Sequence, residues 1–382
     1  MTPAARIEAA IGVLDRILGG MAAEKALTNW ARSARYAGSK DRAALRDHVF
    51  DVLRQWRSCA ALGGGESGRA LMIGLLRLQG QAPEAFFTGE GHAPKSLLEE
   101  EAMAGCPPQA YDAWDMPDWL CARLEAGYGN KAHGIAAALR SRAAVFLRVN
   151  TLKADPVRAQ AALLTDGIET IPHALSRTAL QVTSGARRVA QSQAYQRGLV
   201  ELQDAASQAV CDLLPLQPGM RVLDYCAGGG GKSIAMAARL SGPVEAHDAS
   251  PARMKDLSTR AARAGAEVIP VAKPKGLYDL VLCDVPCSGS GAWRRSPEGK
   301  WRLTPEDLDA LCALQLKILQ ECSAFLAPGG VLAYATCSLL PEENEAVIEA
   351  FLHRAPGWRR QMSRQFLPEE GGDGFFTASL VA

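Results

Sequence analysis

Three things are scarce in this 382-residue sequence. No run of apolar residues is long enough to cross a bilayer, which excludes an α-helical membrane protein. No C-x-x-C pair occurs among the ten cysteines, and the six histidines complete no zinc pattern, so no metal site is expected. Net charge is only +1, so the overall balance does not announce nucleic acid; any such binding must come from a local patch.

A hydrophobic content of 48% with 22% charged residues is that of a globular protein, in a chain long enough for two or three cores. Ten scattered cysteines without a secretory leader point to a reducing compartment. The first stretch, MTPAARIEAAIGVLDRILGG, carries acidic residues inside its apolar run and reads as an amphipathic helix rather than a signal peptide. A cytoplasmic, soluble, monomeric protein is expected.

Residues 1–139 read as a helical domain. Ile7, Ile11, Leu14 and Leu18 share one helical face, ended by Gly19-Gly20. Leu45, Val49, Val52, Leu53 and Trp56 form a second face, and LMIGLLRL a third, more central helix. Segment 79–95, rich in Gly and Pro, reads as loop, and Pro117 opens a short helix. Between 140 and 203, VFLRVNTL and TALQVTSG alternate as strands around the helix VRAQAALLTDG, predicting a small α+β subdomain. Its Arg148 and Lys153 are expected on a solvated surface.

Residues 204–382 alternate strand and helix: RVLDYC, PVEAHD, AEVIPVA, YDLVLCD and VLAYATC as five strands, with GFFTASLV as the last. Repeated βα units predict a parallel, doubly wound, Rossmann-like sheet. Ligands of such sheets sit beyond the carboxyl ends of the strands, at the switch point.

Three segments stand at those ends. The first is Asp224-Tyr225-Cys226-Ala227-Gly228-Gly229-Gly230-Gly231-Lys232-Ser233. Glycines there let backbone approach a ligand and feed a helix N-terminus. It is not a P-loop, because Cys226 stands where that motif needs glycine. Asp248, ending the second strand, suits the two hydroxyls of a ribose; it comes sooner than the ~20 residues usual in a dinucleotide fold, and it fits an adenosyl cofactor equally well.

The second segment is Asp284-Val285-Pro286-Cys287-Ser288-Gly289-Ser290-Gly291. A lone cysteine is ordinarily a small buried hydrophobe, but the flanking Pro and Gly argue for a loop. The basic and aromatic run Trp293, Arg294, Arg295, Lys300, Trp301, Arg302 follows, of a kind that pairs phosphates and stacks bases. The third segment is Tyr334-Ala335-Thr336-Cys337-Ser338, which aims Cys337 at the same rim as Cys287. Two such cysteines could form a redox pair or part of a metal site; without C-x-x-C spacing, beside a cofactor turn, they fit thiol-assisted catalysis better.

Together these segments resemble the RsmB/NSUN group of RNA 5-methylcytosine methyltransferases, and most strongly its bacterial members that modify 16S rRNA and carry an N-terminal NusB-like domain. The resemblance covers nearly the whole chain: AGSKDRAALRDHVFDVLR, LRVNTLK, GLVELQDAASQAV, DVPCSGSGAWRRSPEGKW, LAPGGVLAYATCSLLPEENEAVI and DGFF. It implies a methyltransferase acting with S-adenosylmethionine on carbon 5 of a cytosine in RNA, without a metal. Cys337 would attack carbon 6, and Cys287 would assist release of the product. Asp284 would hydrogen-bond the base near N3 and help hold the cofactor. The turn Cys226–Lys232 would wrap the methionine part and Asp248 the ribose, with Lys232 facing the reacting base. RNA contacts are expected from Arg148, Arg294 and Arg295. The target base must leave its stack to be reached. Two departures stand out: Gly228-Gly229 replace the family's Ala-Pro, and Val271-Ala272-Lys273-Pro274 offers no acid on the adenine side.

Overall fold

The computed structural model describes residues 1–382, which form two compact units. One comprises Met1–Arg142 together with Trp293–Arg302; the other comprises Ala143–Ala292 and Leu303–Ala382. No helix is long and apolar enough to cross a membrane.

The first unit is helical, with longer helices at Pro3–Leu18, Ala23–Ser33, Ser39–Arg54, Trp56–Gly63, Gly68–Leu78, Asp118–Tyr128 and Ala132–Arg140. Thr2 caps the first, its hydroxyl accepting from the Ala5 amide with Pro3 at the first helical position. Ile7, Leu14, Leu45, Leu53, Leu71 and Leu75 meet in its core. Trp56, expected on the same face as Leu45, instead starts the next helix, because the chain breaks at Gln55.

The run Trp293–Arg302, which lies within the stretch expected to be catalytic, packs into this unit. The last carbonyls of a helix have no partner within it, and here the run supplies them. Trp301 Nε1 donates to the Leu53 carbonyl (2.7 Å), and Lys300 Nζ to the Arg54 carbonyl (2.8 Å). Arg54 Nε in turn donates to the Arg294 carbonyl (2.7 Å), and the Trp301 and Trp56 rings lie 5.6 Å apart.

The second unit holds two sheets. The smaller comprises β1 (Val145–Val149), β2 (Glu169–Pro172), β3 (Ala179–Ser184) and β4 (Val200–Leu202), antiparallel in the order β2-β3-β1-β4. The larger comprises β5 (Val222–Asp224), β6 (Val244–Ala246), β7 (Val268–Pro270), β8 (Tyr278–Asp284), β9 (Leu326–Thr336), β10 (Arg359–Phe366) and β11 (Phe375–Val381). Its order is β10-β11-β9-β8-β5-β6-β7. The five strands from β9 to β7 are parallel, as expected, whereas β11 and β10 run antiparallel. Strand β10 is not foreseen from the sequence, because RRQMSRQF lacks apolar alternation; it is a largely exposed edge, where charge blocks unwanted pairing.

The small sheet and the large one, expected as a subdomain at 140–203 and a catalytic domain at 204–382, lie within a single compact unit. Buried polar side chains join them. Asn150 Nδ2 donates to the carbonyls of Gly198 (2.8 Å) and Ala264 (2.7 Å). The buried Glu201 of β4 pairs with Arg260 and Arg263 of the helix Leu257–Ala264.

The chain winds from β5 outward to β7, then returns to place β8 on the other side of β5. This is the switch point. Asp224, Asp284 and Thr336 therefore end adjacent parallel strands, Asp284 pairing in register with Ala335. Apolar layers cover both faces, around Val222, Leu280 and Leu282 on one side and Leu223, Val281 and Leu332 on the other.

Candidate active site

The turn after β5 is shaped by its glycines. Gly228 and Gly230 take φ of +50° and +78°, where a side chain is strained. The Gly228 amide donates to Asp248 Oδ2 (3.0 Å) and the Ala227 amide to the His247 carbonyl (2.8 Å), so the loop is pinned to the end of β6. Asp248 is buried; it also accepts from the Ser250 amide (2.9 Å) and pairs with Arg253 (3.3 Å). Cys226 is partly buried against the apolar layer beside Tyr225, and burial pushes its thiol far up.

Arg148 overturns its expectation. It is buried rather than solvated, and its guanidinium donates to Gln203 and to the Gly231 carbonyl (2.6 Å), bracing the end of the glycine turn. Lys153, also expected on the surface, donates to the carbonyls of Arg197 and Arg263. Arg294 is likewise buried, and Arg295 is half-buried, both within the helical unit. A charged side chain is solvated by default; Arg148 is buried because its guanidinium meets partners remote in sequence.

Lys232, in the first turn of the helix Gly231–Leu240, is 8% exposed and lies 2.7 Å from Asp284 Oδ2 at the end of β8. Burial disfavours its charge, but Asp284 outweighs that and the ammonium is held up to about 12. Its Nζ also stands 4.9 Å from the centre of the Phe375 ring. Asp224, behind them, is wholly buried; burial raises its carboxyl to about 7 against the lowering hydrogen bond from Ser233 Oγ (2.6 Å).

Cys287 and Cys337 meet, with 3.4 Å between their sulfur atoms, and both are partly accessible. The Cys287 thiol is pushed well up, by its hydrogen bond to Cys337 first and by burial second. The loop carrying Cys287 is stitched to its neighbours by backbone. The Gly291 amide donates to the Cys337 carbonyl (3.0 Å), and the Gly374 amide to the Gly291 carbonyl (3.0 Å). A Cβ on Gly291 would come within 1.9 Å of the Gly374 carbonyl oxygen, so this crossing requires glycine.

The structure thus gathers Lys232, Asp284, Cys287 and Cys337 at one rim, with the turn Cys226–Gly231 and Asp248 leading to it. Sequence reasoning misses Ser288, Ser290, Ser338, Gln315 and Glu343, which bind one another beneath the cysteines. The repeated Cys-Ser is the signal that could have found them. No group of three or more His, Cys, Asp or Glu side chains is placed to hold a metal ion.

Comparison with known proteins bears on this site. The family model described as 16S rRNA methyltransferase RsmB/F matches residues 211–381, and one described as an RsmF/B-like ferredoxin-like domain matches residues 116–189. The ribosomal RNA small subunit methyltransferase B of Vibrio cholerae is 37% identical over 389 aligned positions, covering 89% of each chain. Among solved structures, a methyltransferase homolog from Pyrococcus horikoshii covers 70% of this chain and 95% of its own, at 25% identity and a TM-score of 0.62. NSun6 from the same organism, solved with SFG, shares the fold at a TM-score of 0.63 and 18% identity, over 69% of this chain and 98% of its own.

Proposed function

Because the chain belongs to the RsmB/F family of 16S rRNA methyltransferases, we propose that it methylates carbon 5 of a cytosine in small-subunit ribosomal RNA, with Cys337 as nucleophile and Cys287 assisting release. Its cofactor is S-adenosylmethionine. The observation that carries the reading is the pair of sulfur atoms 3.4 Å apart, beside the Lys232–Asp284 ion pair.

The residues fit the cofactor. The turn at Gly228–Gly230 presents bare backbone at a helix N-terminus, and Asp248 is a buried carboxylate with lone pairs left for a ribose diol. When bound, S-adenosylmethionine supplies an electrophilic methyl group. Cys226–Lys232 would hold its methionine part and Asp248 its ribose.

Cytosine carbon 5 is a poor nucleophile until the ring's aromaticity is broken. As the Cys337 sulfur bonds to carbon 6, its proton passes by way of Asp284 to N3, and the shift of the C5–C6 electrons toward carbon 4 makes carbon 5 enamine-like and able to accept the methyl. Asp284 faces the base near N3, and the Lys232 ammonium beside it compensates charge that builds on the ring. The proton on carbon 5 then passes to water, the double bond re-forms, and the Cys337 sulfur departs with the electrons of its bond. The Cys287 thiol, in contact with that sulfur, serves this release by giving it a proton and is reprotonated from solvent. The helical unit would contribute to RNA binding, and the protein would act as a monomer in the cytoplasm.

The test is a denaturing gel of Cys287→Ala protein purified from cells containing their own RNA. A slow-migrating covalent RNA adduct is expected, absent from the Cys287→Ala/Cys337→Ala control. Methylation that survives Cys337→Ala but not Cys287→Ala would reverse the two roles, as in DNA cytosine methyltransferases. Failure to bind S-adenosylmethionine in calorimetry, with RNA binding intact, would make the protein a non-catalytic RNA-binding factor.

A further inference from the structure

The serines that follow the two cysteines end on one carboxylate. Ser288 Oγ and Ser338 Oγ both donate to Oε2 of Glu343, the latter at 2.5 Å. The Ser288 amide donates to Oε1 at 2.7 Å, and Gln315 Nε2 to the same oxygen at 2.9 Å. Gln315 Nε2 also donates to the Pro286 carbonyl (3.0 Å), on the other side of Cys287. The next residue treats Cys337 in the same way: Asn344 Oδ1 accepts from Thr336 Oγ1 (2.6 Å), and its Nδ2 donates to the Ser338 carbonyl (3.0 Å). Glu343 is fully buried, and its own carbonyl accepts from Tyr334 Oη (2.5 Å).

We propose that Glu343 is a positioning residue for methyl transfer: by tying the serine after each cysteine to one carboxylate, it holds Cys287 and Cys337 in contact. The proposal rests on the two-cysteine reading above. A buried carboxylate is costly unless its lone pairs are met by donors, and here the donors are the segments whose spacing matters to the chemistry. Hydroxyls donating to a carboxylate form short, strong bonds, so neither serine can shift without breaking one. The charge serves a second purpose. Cys287 faces Cys337, Glu343 and Tyr334, and the charge of Glu343 adds to the hydrogen bond from Cys337 and to burial in keeping the Cys287 thiol protonated. A protonated thiol does not compete with Cys337 for carbon 6.

The test compares full-length wild type, Glu343→Gln and the Ser288→Ala/Ser338→Ala double variant. Cofactor affinity is read by calorimetry, methyl transfer as separate kcat and KM, and the alkylation of Cys287 by iodoacetamide against pH by peptide mass spectrometry. Both variants are expected to bind S-adenosylmethionine with wild-type affinity while kcat falls about 10- to 100-fold at unchanged KM. In Glu343→Gln the Cys287 alkylation midpoint is expected to move down by about one pH unit. If Glu343→Gln fails to fold, the serine double variant tests the clamp alone, and full kcat there overturns the proposal. Unchanged kcat and an unchanged Cys287 profile in folded Glu343→Gln overturn it as well. Should the wild type make no 5-methylcytosine, the functional reading fails, while the alkylation profile still reports whether Glu343 governs Cys287.

Discussion

The Sγ atoms of Cys287 and Cys337 lie 3.4 Å apart although fifty residues separate them in the chain. Each follows the end of a strand, β8 and β9 are parallel neighbours, and the Gly291 amide bound to the Cys337 carbonyl draws the two loops together. In the proposed mechanism, contact between the sulfurs lets one thiol act on an adduct formed by the other.

That contact predicts a reversible oxidation. A disulfide needs sulfurs at ~2.0 Å, so a shift of little more than an ångström suffices. Diamide, a diazene that takes up two hydrogens, is expected to join Cys287 to Cys337, abolish methyl transfer and leave activity recoverable with dithiothreitol. Non-reducing peptide mapping checks this. Oxidation that links other cysteines and spares this pair would mean the loops do not hold the sulfurs together in solution.

Lys232 and Asp284 are expected to act as one unit. Lys232→Met and Asp284→Asn should each lower kcat/KM by about 10²- to 10³-fold, and the double variant by much less than the product. Burial lowers the Lys232 ammonium but Asp284 raises it further, to about 12. The pair's stabilisation is thus fully present below the unfolded lysine value of ~10.4 and lost only as pH rises through about 12. The pH–rate profile should therefore show no alkaline limb from Lys232 below about pH 10, and its appearance would show the pair to be weaker than its geometry.

The glycine turn proposed to hold the cofactor is expected to reject the family's own residues. Gly228 sits at φ +50°, and a Cβ on Gly229 would come 2.9 Å from Arg260 Nη1, which donates to the Gly229 carbonyl (2.5 Å). Gly228→Ala/Gly229→Pro should weaken S-adenosylmethionine binding about tenfold, the cost of placing a side chain in the left-handed region. Adding Arg260→Ala should relieve the clash at residue 229. Calorimetry on the three proteins decides it, and tighter binding by the first variant would refute the argument.

Lys300 is expected to make the helical unit sensitive to pH. Burial pulls its amine down to about 7, against the raising field of Asp115. The unfolded chain keeps that proton to ~10.4, so between about 7 and 10 the unfolded state binds more protons and stability rises with pH. Above ~8.5 the unfolded thiols of Cys59 and Cys121 ionise, whereas burial keeps the folded ones protonated, which opposes the trend. From pH 7 to 8.5 the wild type should gain roughly 1.6 kcal/mol relative to Lys300→Met. Parallel melting curves for the two proteins across that window would rule out a buried neutral amine.

Much of the protein is legible in its sequence. The turn Asp224–Ser233 announces itself because a strand, a glycine run and a helix start are encoded by neighbouring residues. The alternation that predicts β5, β6, β8 and β9 records locally which side chains face a core. The resemblance, carried by Pro-Cys-Ser and Thr-Cys-Ser in one chain, singles out both cysteines and the chemistry they suit.

Residues whose state depends on distant partners are another matter, and there the three-dimensional fold decides. Arg148 carries charge and is expected in water; it is buried because Gln203 and the carbonyl of Gly231 supply partners for its guanidinium. Trp293–Arg302 reads as an RNA-facing run, yet its Lys300 and Trp301 complete a helix end that lacked donors. Glu343 is one acid among several in its segment until the fold sets two serines on it. Local residue order thus specifies most of the strands, turns and helices, and which residue types stand at the strand ends. Burial of a charge is favourable only where its hydrogen bonds are met, and those partners are supplied by folding, not by neighbours in the chain.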